Sequence, residues 1–210
     1  MRTPQLVPGL FGAIIALLFP SITRAAQIEF ITTGSGSGNI NGSVFPNSLF
    51  TITAFGDTNN RYQFPGTHIF EIIHDSASIS IDGVGTFRFV TATRTFVENS
   101  LQLVGFSRSV PSDTFGGVDI YDGPRGAPEF ATWDMLTSVG PIAGAASLRQ
   151  WTSSFAPVVT DAGVLVFDFA DNIATTFTAT LVPEPSTFAL AALGAAALLA
   201  ARRGLANRFW

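Results

Sequence analysis

Two histidines, His68 and His74, are the only imidazoles in the chain, and they bracket Glu71. Histidine and carboxylate together can hold a metal or pass a proton. The spacing argues against a metal triad. In a strand, residues 68 and 74 share one face while residue 71 points to the other. In a helix the i, i+4 histidine pair of zinc metalloproteases is absent. The expectation is that all three are ordinary polar residues of a strand.

A second constellation is acidic. Asp113, Asp119, Asp122, Glu129 and Asp134 fall in one stretch that holds a single basic residue, Arg125. Oxygen-rich loops between strands can bind Ca²⁺, which makes Asp113, Asp119 and Asp122 candidate ligands. The spacing is not that of an EF-hand. A solvated acidic loop without any cofactor is the simpler expectation.

Other chemistries lack their parts. Gly34-Ser35-Gly36-Ser37-Gly38 is glycine-rich like a phosphate cradle, but a phosphate loop needs a following helix and usually a lysine, and the chain has no lysine. This stretch reads as a flexible link or hairpin loop. No Gly-x-Ser-x-Gly elbow is present, and a Ser-His-Asp arrangement has no positive support. The body holds fourteen acidic residues, too many choices for any glycosidase pair to be singled out. Tyr62, Tyr121, Trp133 and Trp151 could stack on sugars, although core packing is the commoner use of such residues. Asn41-Gly42-Ser43 matches a glycosylation sequon, a three-residue pattern that carries little weight by itself.

Composition narrows the class. There is no cysteine, so disulfides and thiolate chemistry are excluded. All eleven basic residues are arginine, and five of them lie near the ends. The body, residues 26–181, has a formal charge of −8, which disfavours nucleic-acid binding. Twenty phenylalanines, twenty glycines and many Thr, Val and Ile favour β-structure.

The elements that would position these residues are short alternating runs rather than amphipathic helices. Strands are expected at 27–33, 48–55, 67–74, 76–81, 85–97, 101–106, 118–121, 148–153, 163–169 and 175–181. Residues 129–138 suit a strand or a short helix, and the alternation of Ala131, Trp133 and Met135 favours strand. Asp82-Gly83 is a hairpin signal. Both faces of 48–55 carry bulky residues, as in a covered sheet. About ten strands suit an all-β, two-sheet sandwich or jelly roll.

The two ends differ from the body. Arg2, an apolar stretch over 6–18 and the small residues Thr23, Ala25 and Ala26 have the layout of a signal peptide, with cleavage expected after Ala25. The tail begins Val182-Pro183-Glu184-Pro185, which forbids helix and central strand and leaves an extended peptide. An uncharged run follows at 188–201, about 21 Å long as a helix and short for a hydrocarbon core of about 30 Å. Arg202, Arg203 and Arg208 then place the C-terminus in the cytoplasm. The run is alanine-rich, so it reads as a marginal, temporary anchor.

Motif, apolar helix and arginine cluster, in that order, resemble the PEP-CTERM sorting domain, also called the ice-binding protein C-terminal domain. The second label is no evidence that this body binds ice. The resemblance implies recognition of Pro183, Glu184 and Pro185 by an exosortase, an integral-membrane, transpeptidase-like cysteine enzyme of Gram-negative bacteria. It also implies an association with exopolysaccharide and biofilm. The division expected is a signal peptide over 1–25, a body over 26–181 and a sorting tail over 182–210. The function expected is that of an exported, non-enzymatic protein of the cell surface or extracellular matrix, associated with polysaccharide. The second reading is a secreted hydrolase acting on carbohydrate.

Overall fold

Long alternating strands dominate the computed structural model, which describes residues 26–109, 119–149, 157–182 and 194–195. The leader over 1–25, Asp113, Trp151, the motif residues Pro183, Glu184 and Pro185, most of the apolar run, and Arg202, Arg203 and Arg208 lie outside the described residues. Among the described residues no helix is long and apolar enough to cross a membrane.

The strands are β1 Gln27–Ile40, β2 Ser43–Asp57, β3 Tyr62–Gln63, β4 Ile69–Ile81, β5 Gly85–Arg88, β6 Thr93–Glu98, β7 Leu103–Arg108, β8 Asp119–Arg125, β9 Val139–Leu148, β10 Val158–Thr160, β11 Gly163–Phe167 and β12 Ala170–Val182. All pairings between them are antiparallel.

The expected sandwich is not what forms. Eight strands close a barrel in the order β1-β2-β4-β6-β7-β8-β9-β12 and back to β1. The reason lies in β1, β2 and β4, which run 14, 15 and 13 residues. β1 pairs along most of its length with β2 on one side, and with β12 and then β11 on the other. β4 pairs with β2 on one side, and with β6 and then β5 on the other. Closure gives each of these strands a partner on both sides over most of the barrel wall, which leaves no long free edge at which a second sheet could begin. Toward the end away from the chain termini, β5 and β10 meet through a Phe89–Thr160 bridge. Val90 N–H donates there to the Val159 carbonyl at 2.8 Å.

The inward face is apolar. Ile28 and Phe30 of β1, Phe50 and Ile52 of β2, Ile72 and Ile79 of β4, Phe106 of β7, Tyr121 of β8 and Phe177 of β12 are buried. An eight-stranded barrel is just wide enough for side chains to fill it. Phe50 meets Tyr121 edge-on at 5.9 Å, and Phe30 stacks with Phe177 at 6.3 Å.

This filling explains the glycine stretch, which is not a link or hairpin loop. Residues 34–38 lie inside β1, with Gly34, Gly36 and Gly38 facing inward. A Cβ on Gly36 would lie 2.5 Å from Leu148 Cδ2, and one on Gly38 would lie 2.1 Å from the Val166 carbonyl oxygen. Gly34 and Gly36 make room for large side chains reaching in from other strands, and Gly38 for the close approach of the β11 backbone.

Two further expectations change. Residues 129–138 do not form a strand. Pro128–Ala131 is a 3-10 turn followed by irregular chain, and Met135 takes a left-handed φ of 67°. This segment joins β8 to β9 and plugs the barrel mouth with Phe130, Trp133 and Met135, all buried. Asn99 holds it by donating through Nδ2 to the carbonyls of Phe130 and Trp133. Of the strand expected at 148–153, Leu148 ends β9, and residues 150–153 lie outside the described residues.

Candidate functional site

The barrel wall separates Glu71 from His74. His68 precedes β4, and its carbonyl accepts the Asn99 N–H at 3.0 Å. Glu71 faces outward beside Phe96 of β6, where it is buried against Arg94. Burial raises its carboxyl above the usual range, and Arg94 only partly opposes this. His74 faces inward. Its ring lies between Phe30 and Phe106, at 5.7 and 5.5 Å, and its two nitrogens reach the hydroxyls of Thr93 and Thr95, both at 2.9 Å. The residue keeps some accessible surface, but the ring is enclosed, and burial lowers its pKa to about 3. The imidazole is therefore a neutral part of the core.

The acidic stretch is similarly divided. Asp119 accepts from the Ser107 hydroxyl at 2.8 Å. Asp122 is buried and paired with Arg149 at 2.8 Å. Burial, and next the Asp119 carboxylate, raise the Asp122 carboxyl, while Arg149 and Arg125 pull it down. Glu129 is exposed in the 3-10 turn, and Asp134 faces Arg61 at 3.5 Å in the plug. Arg125 turns instead to Asp171 at 2.6 Å. Hydrogen bonds from Ser147 and Arg125 hold Asp171 down to about 2. Among the described residues no group of three His, Asp or Glu side chains could hold a metal ion.

The aromatic candidates are mostly core residues. Tyr121 is fully buried, donates to the Thr33 carbonyl at 3.3 Å and has its phenol pushed up to about 12 by burial. Trp133 is buried and donates to the Thr137 carbonyl at 2.8 Å. Tyr62 is about half exposed and meets Phe64 edge-on.

The outer wall carries an arrangement that the strand patterns did not single out. Outward residues of adjacent strands align into a row of hydroxyls: Thr176 on β12, Thr33 on β1, Thr51 on β2, Ser80 on β4 and Thr86 on β5. Thr33 and Thr176 share a hydrogen bond at 2.7 Å, and Thr86 donates to Ser80 at 3.0 Å. The next row holds Thr178, Ile31, Thr53, Ser78 and Arg88. Strand geometry spaces neighbours within a row by about 4.8 Å and the two rows by about 6.7 Å. Beside the first row lies a depression of about 270 Å³ lined by Thr33, Gly34, Leu49, Phe50, Thr51, Asp82 and Ala174. It sits where β12 leaves β1 after Thr33 and before β11 joins at Gly38. Leu49 is 63% exposed there. Each strand alone shows only alternating Ser and Thr. The pairing register brings them together.

The other site is the end of β12. Its last residue, Val182, pairs with Gln27, near the start of the body, so both chain ends leave the barrel at one rim, beside the plug. The family model for the PEP-CTERM protein-sorting motif matches residues 181–203, and the match begins inside β12. The chain thus carries a PEP-CTERM sorting motif, which marks an exported protein directed to an exosortase. No curated protein and no solved structure matches the chain.

Proposed function

We propose that the body is a non-enzymatic module of the cell surface or extracellular matrix that associates with neutral polysaccharide through its outer hydroxyl face. The sorting motif sets the route. The tail would hold the protein briefly in the inner membrane, C-terminus inward, until the exosortase acts.

The row Thr176–Thr33–Thr51–Ser80–Thr86 carries the reading of the ligand. A repeating row of uncharged donors and acceptors suits a repeating, uncharged polyol. The adjoining depression adds an exposed apolar surface at Leu49 and an acceptor at Asp82. The acidic body disfavours polyanions.

Co-sedimentation of the released protein with the exopolysaccharide of the producing cells tests this. Thr33→Val with Thr51→Val keeps the strand preference and removes two hydroxyls. At about 1 kcal/mol for each hydrogen bond, binding should weaken on the order of tenfold or more. A wild-type protein that binds no neutral glycan overturns the proposal. Separately, replacing Pro183, Glu184 and Pro185 with alanine should leave uncleaved protein in the inner membrane.

A further inference from the structure

The barrel and the sorting motif share residues. Leu181 and Val182 are the last two residues of β12 and the first two of the motif match. Pro183 therefore follows the closing rung of the barrel with no spacer.

Both edges of that strand end are occupied. Toward β1, Thr180 pairs with Glu29, Leu181 with Ile28 and Val182 with Gln27. Toward β9, Ala179 pairs with Val139, and the Leu181 N–H donates to Ser138 Oγ at 2.9 Å. Enzymes that cut peptides commonly bind them as an added strand, which requires free backbone donors and acceptors beside the cut. The backbone immediately before Pro183 is already committed to the barrel.

Burial sets how far this end can open. Thr180 is exposed, and Leu181 and Val182 are half-buried, so releasing them uncovers little apolar surface. Ala179 and Phe177 are buried and packed in the core, so peeling further is opposed. β1 would stay in place. Gln27 and Ile28 also pair with Asp57 and Gly56 of β2, and the Ala26 carbonyl accepts the Thr58 N–H at 3.1 Å.

We propose that the exosortase reads Thr180, Leu181 and Val182 together with Pro183–Pro185, taking them as a strand peeled from the rim, and that the peel stops at Ala179. This rests on the exosortase reading of the tail. Cleavage then leaves a barrel whose wall is intact up to Ala179.

The absence of cysteine makes a clean test available. Residues opposite one another on antiparallel strands have Cα atoms about 4.5–5.5 Å apart, within the range a disulfide spans. Gln27→Cys with Val182→Cys would lock the closing rung in the oxidising compartment outside the inner membrane. In cells producing the exosortase, the full-length locked variant should accumulate as precursor and lose release. Each single-cysteine variant should be released like wild type. A Gly-Ser-Gly-Ser spacer between Val182 and Pro183 adds free backbone and should restore release of the locked variant. Release of the locked, spacer-free variant at the wild-type rate overturns the proposal. So does failure of the spacer to restore release while the locked body keeps its thermal transition. If the variant with alanine at 183, 184 and 185 is released like wild type, the exosortase reading itself fails and takes this one with it.

Discussion

Arg94 and Glu71 form an ion pair that is buried although both side chains point away from the barrel interior. Arg94 lies against the Phe64 ring at 6.0 Å, and its Nε is buried without a hydrogen-bond partner among the described residues. The Glu71 carboxyl is raised despite its neighbour, so desolvation outweighs the attraction.

This balance predicts an asymmetry between single and double substitution. Arg94→Met strands a buried carboxylate and should cost about 3–5 kcal/mol. Arg94→Met with Glu71→Leu removes both charges and should return most of that loss. Urea midpoints of the three proteins decide the matter. Equal destabilisation of the single and double variants would show that the pair itself holds the wall together.

The inward glycines of β1 should differ in tolerance according to what a new methyl group meets. At Gly38 it meets the Val166 backbone carbonyl oxygen at 2.1 Å, which cannot turn aside. At Gly34 the nearest atom is Phe50 Cζ at 2.7 Å, the far end of a side chain that can shift. Gly38→Ala should therefore cost more than Gly34→Ala, with overpacking of about 1–3 kcal/mol expected at the milder site. Thermal melting of both variants checks the order, and the reverse order would contradict the packing described for β1.

His74 should make stability fall in acid. Its pKa is about 3 in the folded barrel and 6.5 when unperturbed. Between those values the unfolded chain binds the extra proton and the folded chain does not. The contribution is therefore fully present above about pH 6.5 and shrinks as pH falls toward 3, at up to about 1.4 kcal/mol per pH unit. His74→Gln keeps a hydrogen-bonding group for Thr93 or Thr95 and should flatten this dependence. Denaturant midpoints at pH 7 and pH 4.5 for the two proteins supply the comparison. An unchanged slope would place the acid sensitivity elsewhere.

Several features were legible from local pattern. The hairpin at Asp82-Gly83 turns as expected, with Gly83 at φ +75°. The runs at 48–55 and 175–181 lie within β2 and β12. The opposite facing of Glu71 and His74 follows from strand alternation. Residues 129–138 misled because Ala131, Trp133 and Met135 alternate like a strand. Pro128 opens a 3-10 turn instead, and the barrel mouth accepts the bulky residues as a plug. Gly34–Gly38 misled because glycine usually marks a loop. Its use as space for Phe50, Leu148 and Phe167 depends on partners far along the chain.

The sequence by itself determined the all-β character, the acidic cysteine-free body and the sorting tail, because composition, alternation and a contiguous motif are local properties. Only the tertiary structure decided that the strands close into a barrel rather than stack as two sheets. That choice depends on β1 finding β2 on one side and β12 on the other, a long-range pairing that no single segment encodes. The same closure aligns the outer hydroxyls into rows, encloses His74, and makes Leu181 and Val182 both the last rungs of the wall and the start of the exit signal.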